Sequence, residues 1–543
     1  MNPNHWPIND FTTLAHIYER LVYRDGQYRA SIPYLAKSWK YLDPLTVVTY
    51  LRKGVIYHDG SDFNAASVKY QIDWINDKKN GCWDRAYLSL LKSVEIIDSH
   101  TLKWHFKKPW AVFSGGVLAG IPGWPISAEA LKKDGMLKEL KGLNGKIKTA
   151  QKKVSKALKK AEKATAAGGK KAEKARKKLK SEQKKLAKLE KKLNKLEKQT
   201  AGAISTDRHA VGTGMFMVEE GRPGNYTLLK RNPNWWFAKH VDRPEMPYFD
   251  KMQVMVIPDP AIQLANLRAG KIHYMGIDKA MYPLIKKDPK VNVYTYPMNS
   301  LSGLRFNQAT GPFKDIRVRK AVSHAIDRKA IIAGTQMGMA RIASSIFPED
   351  HWCHNPDLKP VPYDPELSKK LLAEAGYPNG LEVKGHMVNV QVAVNIGTAV
   401  KGMLKKVGIT WKVDMLEPAA TSSRRKNLEY ELAGGGYGFI WDPDLVATNL
   451  YHPDGFLNFG RSNNEKAIAL IKAGRIEVDD QKRQKIYFEL EKAIYDNYED
   501  VWIYWPISLV AYHKRVQGYN NNMFIKYREG YSLTHALWFK DGK

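Results

Sequence analysis

VGTGMF at residues 211–216, followed by RNPNWW at residues 231–236, is the pattern that decides the fold of this chain. Gly212 and Gly214 allow close backbone approach or a positive φ, as is needed where a chain passes between two lobes. The segment shares only its glycine content with a phosphate-binding loop, because no GK[ST] follows. We therefore expect these residues to be structural.

Strand and helix patterns alternate on both sides of this segment, with short loops between them. TVVTYL at Thr46–Leu51 and TLKWHF at Thr101–Phe106 are β-branched or alternating, which is typical of strands. Asn64 is a good N-cap for a helix that continues past Ile75. Further amphipathic helices are predicted at residues 260–269, 318–332 and 363–376, and Asp59-Gly60 is predicted to be a turn. This alternation predicts the α/β class.

The strongest periodicity lies in the Lys-rich segment 137–200. Apolar residues recur there with 3-4 spacing on both sides of Gly168-Gly169, which predicts two helices of about 28 residues paired as an antiparallel coiled-coil hairpin. Such a hairpin would project on the order of 40 Å. The predicted seam is Leu140, Leu143, Ile147, Ala150, Val154, Ala157, Ala161 and Ala164, then Ala172, Ala175, Leu179, Glu182, Leu186, Leu189, Leu193 and Leu196.

Much of the positive charge of the chain lies in this segment. Of the formal net charge of +32, residues 141–200 supply roughly half, with 23 Lys/Arg against 5 acidic residues. The rest of the 543 residues has the composition of an ordinary protein with several lobes. The hairpin is either an arm that docks on a partner or an anionic membrane surface, or a solvated decoration. Nucleic acid is a less favoured partner, because the hairpin has one Arg and lacks aromatic residues.

Six motifs then occur in a fixed order. They are HIYERLV at 16–22; LRKGVIYHDG at 51–60; VGTGMF at 211–216; RNPNWW at 231–236; FN, PF, VRKA and AIDR between 306 and 328; and YDP at 363–365 with LLAEAGY at 371–377. In this order they resemble the dipeptide/oligopeptide branch of the bacterial extracellular solute-binding proteins, family 5. The resemblance covers nearly all of the chain outside the hairpin.

The resemblance implies an α/β periplasmic-binding-protein type II fold with two lobes plus an extra domain, joined by a hinge. It gives domain I as residues 1–30, 205–258 and 506–543, domain II as 31–136, the inserted hairpin as 137–200 and domain III as 259–505. The family's first strand precedes the position of Met1, and residues 1–11 have no secretory leader pattern. We expect Trp505-Pro506-Ile507 to lie where the chain returns to domain I.

GGGYGFIWDPD at residues 434–444 is the segment in which the resemblance implies a ligand wall. The wall residues would be Tyr437, Gly438, Phe439, Trp441 and Asp442; the alternative is a glycine loop that packs its aromatic residues into the domain core. Peptide-binding relatives have an Asp for the ligand's α-amino group where this chain has Phe439. A solute held through a free amino group is therefore less expected, and a ligand stacked on aromatic faces is favoured.

Five other residues are candidates for the same site: Tyr23, Trp124, Asn299, Ser300 and Arg305. Arg305 either receives a ligand carboxylate or is a structural arginine on a strand. His351-Trp352-Cys353-His354 has no second ligand pair at a fixed spacing, so we expect a surface loop and not a metal site. A Cys82–Cys353 disulfide is not expected, because it would oppose hinge motion.

These observations favour a binding protein over an enzyme. The HExxH, GxSxG and Walker A patterns are absent, and no cofactor is implied. The resemblance implies an extracytoplasmic monomer that closes on a peptide or similar amphipathic solute and presents it to an ABC transporter permease. Alternatives are a non-peptide solute such as an oligosaccharide, an opine or a metal complex in the same cleft, a nucleic-acid or membrane-surface binder acting through the hairpin, and an enzyme of another class.

Overall fold

The computed structural model of the chain describes residues 2–4, 11–438, 441–519 and 536–542, and the fold is α/β. The helices are α1 (Phe11–Ile17), α2 (Ala65–Asn76), α3 (Ala128–Ala167), α4 (Gly169–Gln199), α5 (Trp236–His240), α6 (Pro260–Arg268), α7 (Tyr282–Ile285), α8 (Ile316–His324), α9 (Arg328–Gln336), α10 (Pro365–Glu374), α11 (Gln391–Lys406), α12 (Pro418–Lys426), α13 (Pro443–Tyr451), α14 (Glu465–Ile476) and α15 (Asp480–Asp496). Among the described residues no helix is both long and apolar enough to cross a membrane.

The strands are β1 (Val22–Arg24), β2 (Ala30–Pro33), β3 (Ala36–Asp43), β4 (Thr46–Leu51), β5 (Leu91–Asp98), β6 (Thr101–Phe106), β7 (Phe216–Arg222), β8 (Tyr226–Arg231), β9 (Lys251–Met255), β10 (Tyr274–Ile277), β11 (Val291–Pro297), β12 (Leu301–Phe306), β13 (Ala340–Ile342), β14 (Leu381–Val388), β15 (Ile409–Leu416), β16 (Leu432–Tyr437), β17 (Asp500–His513), β18 (Val516–Gln517) and β19 (Trp538–Phe539).

Three sheets hold most of these strands, and β1-β2, β14-β15 and β18-β19 form separate two-stranded pairs. Sheet A has the antiparallel order β3-β4-β6-β5, and sheet B has the order β7-β8-β9. Sheet C has the order β10-β17-β12-β16, with β11 and β13 also paired to β17. Strand β17 runs without a break through Pro506, which pairs with Ala340. The expected return of the chain to domain I at residues 505–507 therefore falls within this one long strand, which continues to His513.

Local signals predicted several elements correctly. TVVTYL and TLKWHF form β4 and β6, and Asn64 caps α2 by accepting the Ser67 backbone N–H at 2.9 Å. Residues 318–332, however, do not form one helix. Asp327 starts a second helix, α9, by accepting the Ala330 N–H at 2.9 Å. Arg328, the first residue of α9, is buried, and its guanidinium donates to the Trp502 carbonyl at 2.6 Å.

Glu19 explains why the first, third and fourth sequence motifs occur together. Its buried carboxylate accepts hydrogen bonds from the indoles of Trp235 at 2.7 Å and Trp236 at 2.8 Å. It also accepts the hydroxyls of Thr213 at 2.8 Å and Tyr34 at 3.1 Å. Nearby, Gly212 lies against the backbone of α1, where a Cβ would stand 2.2 Å from the Ile17 carbonyl oxygen. The close approach predicted for this glycine is confirmed.

The Lys-rich segment forms the two long helices α3 and α4, joined at Gly168 and packed on each other. Helix α3 begins at Ala128, earlier than the predicted boundary of 137, and its cap Ser127 donates to Asp59 at 2.5 Å. Residues 128–205 are called the arm, and its base is thus continuous with the body of the protein. The residues buried between the two helices are predicted seam residues. The buried ones are Leu143, Ile147, Ala150, Ala157, Ala161, Ala172 and Leu196. Leu140, Leu186, Leu189 and Leu193 are partly buried and pack beside them.

Candidate ligand-binding site

Trp441 is the centre of the candidate site. Its indole lies 4.7 Å from the Arg24 guanidinium carbon and 5.6 Å from that of Arg20. Arg20 also stacks on Trp124 at 4.6 Å, so this arginine lies between two predicted wall residues. Both arginines are buried, at 3% and 1% exposure, and a desolvated cation–π contact contributes about 2 kcal/mol. The structure thereby brings Trp441 and Trp124 together, with Arg20 between them.

The turn Phe113–Leu118 closes the site from the side of sheet A. The Gly115 carbonyl accepts a hydrogen bond from Arg24 at 2.6 Å. The Cα of Gly115 faces the Asp442 carboxylate. Ala111 N–H donates to the Arg475 carbonyl at 2.9 Å in the same interface. The segment around sheet A and the segment that follows β16 are therefore in direct contact, which is the arrangement of a closed cleft.

Asp442 has its carboxylate occupied within the protein. It caps α13 by accepting the Asp444 N–H at 2.9 Å and forms a buried ion pair with Arg483 at 2.9 Å. Asp444 pairs with Arg475 at 3.2 Å, and burial raises the pKa of Asp444 to about 6 despite this partner. The DPD sequence thus fixes the position of the wall, and its acids face arginines of α14 and α15.

Arg305 lies on β12 and is paired with Asp500, whose carboxylate oxygen is 3.3 Å from the Arg305 Nε. Its Nη1 donates to the Leu457 carbonyl at 3.0 Å. Tyr451 donates to the same Asp500 carboxylate at 2.7 Å. These contacts are those of a structural arginine, the second of the two alternatives that the sequence left open.

Tyr437 ends β16 directly opposite Leu301, the first residue of β12. Asn299 and Ser300 immediately precede Leu301 and are half-buried, so the sheet register places them beside Tyr437. Burial, and then the neighbouring Tyr437 phenol, raises the pKa of Tyr87 well above the usual range. Tyr437 and the 299–300 turn are therefore neighbours in the structure.

Three further predicted site residues remain, which are Tyr23, Gly438 and Phe439. Tyr23 is buried and packs edge-on against Tyr34, with ring centroids 4.7 Å apart. Gly438 follows β16 and is half-buried. Phe439 lies outside the described residues.

His351-Trp352-Cys353-His354 is buried, so the predicted surface loop is wrong. The His351 ring stacks on Tyr28 at 5.1 Å, and its Nε2 donates to the Trp441 carbonyl at 3.3 Å. Burial lowers the pKa of His351 to about 3, so the ring is neutral, and its Nδ1 lies 2.9 Å from the Cys353 Sγ. The loop supports the backbone of the wall from behind.

Within the described ranges, no three His, Cys, Asp or Glu side chains converge as metal ligands. Both cysteines are free in the structure and buried.

Sequence reasoning missed Arg20, Arg24, Tyr87 and Gly115. Arg20 stands inside the HIYERLV motif, and Arg24 follows it by four residues. No local pattern distinguishes an arginine that stacks on an indole from one on a solvated surface. The glycine pair Gly115-Gly116 between apolar residues was the available signal for a close contact.

The sequence profile of the bacterial extracellular solute-binding proteins, family 5 Middle, matches residues 31–458 of this chain. The chain belongs to this family. Heme-binding protein A of Haemophilus influenzae is 25% identical over 97% of this chain and 87% of that protein. The dipeptide-binding protein of Escherichia coli is 24% identical over 58% of this chain and 59% of its own length.

Solved structures show the fold of the family members. The ABC transporter substrate-binding protein CtaP of Listeria monocytogenes superposes with a TM-score of 0.76, at 22% identity, over 99% of this chain and 96% of that one. HbpA2 of Haemophilus parasuis superposes with a TM-score of 0.74, at 23% identity, over 99% of this chain and 97% of that one. The chain has the two-lobed α/β type II fold of these proteins, and its relatives are binding proteins of transport systems, not enzymes.

Proposed function

We propose that this protein acts outside the cytoplasm, where it captures one small solute in the cleft beside Trp441. It then delivers the solute to the permease of an ABC transporter. The observation that supports this most is the contact between Trp441 and the arginines Arg20 and Arg24. Two parts of the chain that lie far apart in sequence meet there through stacked and hydrogen-bonded groups, as they must when a binding protein closes on its ligand. The division into domain I (residues 1–30, 205–258 and 506–543), domain II (31–136), the inserted hairpin (137–200) and domain III (259–505) is part of this proposal. Strand β17 continues across the last boundary, at residue 505, to His513.

The solute is a peptide or a similar amphipathic molecule that is not held through a free α-amino group. The charged groups that contact Trp441 are guanidinium groups, and the nearby Asp442 is already paired with Arg483. An ammonium group placed there would meet like charge without a dedicated carboxylate. The ligands bound in structurally similar proteins range from the peptide STSA to agropinic acid and Fe(III)-EDTA, so a non-peptide solute is the second candidate.

The arm formed by α3 and α4 is proposed to contact an anionic membrane surface near the permease. Its seam is closed internally, so its exposed lysines are available to a partner surface. Lysine near an anionic bilayer contributes about 1 kcal/mol each, and the lack of aromatic residues makes the arm a poor reader of nucleic acid. The protein is proposed to act as a monomer.

Native mass spectrometry of the full-length protein tests the capture of a solute. We expect one small molecule per chain to co-purify and to be released by mild unfolding. A thermal-shift screen of free and N-acetylated di- to pentapeptides beside oligosaccharides then identifies the class. A strong preference for free amino termini would contradict the proposed solute, and consumption of the ligand during titration would favour an enzyme.

A further inference from the structure

A basic groove lies at the far end of β17 from the candidate cleft. Two neighbouring hollows of about 730 Å³ and 370 Å³ are both lined by Pro289 and Lys514, and together they are called the groove. Strand β17 passes the candidate site at Tyr504, which pairs with Ser302 near the start of β12, and ends nine residues later at His513, which lines the larger hollow. The groove is therefore separate from the solute site and is not explained by solute capture.

Backbone pairing brings the basic residues of this groove together from different parts of the chain. The Lys514 N–H donates to the Lys290 carbonyl at 2.9 Å, and the Lys540 N–H donates to the Arg515 carbonyl at 2.8 Å. His513 pairs with Val291 across β11 and β17. The sheet register thus fixes lysines from three segments around one depression.

The acids of the groove are already engaged. Asp288 pairs with Arg268 at 2.7 Å, and Asp541 pairs with Arg515 at 2.9 Å. In the part of the chain that the structure describes, no carboxylate forms an ion pair with the exposed groove lysines, which are Lys286, Lys287, Lys290, Lys514 and Lys540. Burial, and then the charges of Arg515 and Lys290, lower the pKa of His513.

We propose that this groove is a binding site for a multivalent phosphate-type oxyanion. Five like charges held around a concave surface repel one another, and a ligand with several negative charges relieves that repulsion. Lysines act as hydrated point charges, which suits phosphate groups spread along a chain better than the bidentate recognition of one carboxylate. The elongated outline of the two neighbouring hollows fits an extended anion. A soluble phosphate chain and clustered lipid phosphates share this chemistry.

Calorimetric titration of the full-length protein with sodium tripolyphosphate tests the proposal. We expect saturable one-to-one binding that weakens steeply as salt rises, because exposed charges are screened. The triple variant Lys290→Gln/Lys514→Gln/Lys540→Gln should lose at least tenfold in affinity. The matched control Lys170→Gln/Lys171→Gln/Lys174→Gln removes the same charge from the arm and should bind as the wild type does. Equal losses in the two variants, or no saturable binding by the wild type, would overturn the proposal.

Two further measurements complete the test. Lys290→Arg/Lys514→Arg/Lys540→Arg should retain binding, and the single variant Lys514→Glu should lose it if the triple Gln variant fails to fold. Vesicles of phosphatidylglycerol distinguish the source of the phosphate. Loss of tripolyphosphate binding with unchanged vesicle binding indicates a soluble anion, whereas a fall in vesicle binding larger than that of the arm control Lys170→Gln/Lys171→Gln/Lys174→Gln indicates lipid phosphates. Retained tripolyphosphate affinity in a folded Lys514→Glu variant would contradict the site.

Discussion

Gly115 lies directly against Asp442, so that a Cβ added to the glycine would stand 2.6 Å from the Asp442 Oδ2. The carboxylate cannot turn aside freely, because Arg483 pairs with it at 2.9 Å and it caps α13. This contact joins the turn beside sheet A to the wall that follows β16. Closure of the cleft therefore depends on the absence of a side chain at residue 115.

Gly115→Val should shift the protein towards the open form. We expect solute affinity to fall at least tenfold, equivalent to about 1.4 kcal/mol, since part of the binding energy must now displace Asp442. Small-angle scattering with bound solute should give a larger radius of gyration than for the wild type. The control Gly402→Ala lies within α11, where nothing stands within 4 Å of the added Cβ, and should leave affinity unchanged. Wild-type affinity in Gly115→Val would show that the cleft closes differently.

Trp441→Ala should weaken solute binding by about 2 kcal/mol, or roughly thirtyfold in Kd, because it removes the indole that meets Arg20 and Arg24. Calorimetry with the solute found by mass spectrometry measures this. Trp538→Ala is the matched control, since Trp538 is 43% exposed on β19. If both variants bind as the wild type does, Trp441 is not part of the site.

Much of the fold was predictable because its signals are local. Asn64 marks the start of α2, and the alternation of Thr101–Phe106 marks β6. The helix break at Asp327 was missed because its polar side chain also suits a helix surface, and only its capping geometry distinguishes the two. The length of strand β17 had no local signal, because Pro506, which has no N–H for the ladder, lies within it opposite Ala340.

The candidate site was less predictable because its contacts join distant segments. The resemblance placed Trp441 in the wall, yet nothing near it in sequence indicates Arg24 as its partner. His351 and His354 were expected at the surface because they are polar. They are buried because the Trp441 carbonyl and the Glu491 carboxylate provide hydrogen-bond partners at 3.3 Å and 2.9 Å.

Glu19 should make the stability of the protein depend on pH. Burial raises its pKa from 4.5 to about 7, although four hydrogen bonds oppose the shift. The folded state therefore favours the protonated form, so the stabilisation from Glu19 is complete below pH 4.5 and is lost as pH rises through about 7. The loss amounts to about 3 kcal/mol.

Glu19→Gln, which cannot ionise, should lack this loss. Denaturant unfolding at pH 5 and pH 8 should show the variant gaining about 3 kcal/mol relative to the wild type at the higher pH. Glu366→Gln changes an exposed glutamate, at 79% side-chain exposure, and should follow the wild type at both pH values. A constant difference between Glu19→Gln and the wild type across this range would contradict the assigned titration.

Removing the outer part of the arm should separate membrane contact from solute capture. The base must be kept, because Asp134 accepts the Thr206 N–H and Lys138 lies over the Trp74 ring at 5.7 Å. Replacing residues 144–190 with a short Gly-Ser turn leaves this base intact, and Glu139 still faces Lys192.

The melting temperature and the solute affinity should change little, since the seam of the arm is closed on itself. Binding to phosphatidylglycerol vesicles at low salt should fall sharply, and in the wild type it should fall similarly as salt is raised, because the attraction is screened within a Debye length. If instead the shortened protein loses its solute, the arm is a brace or lid of the cleft and not a separate contact surface.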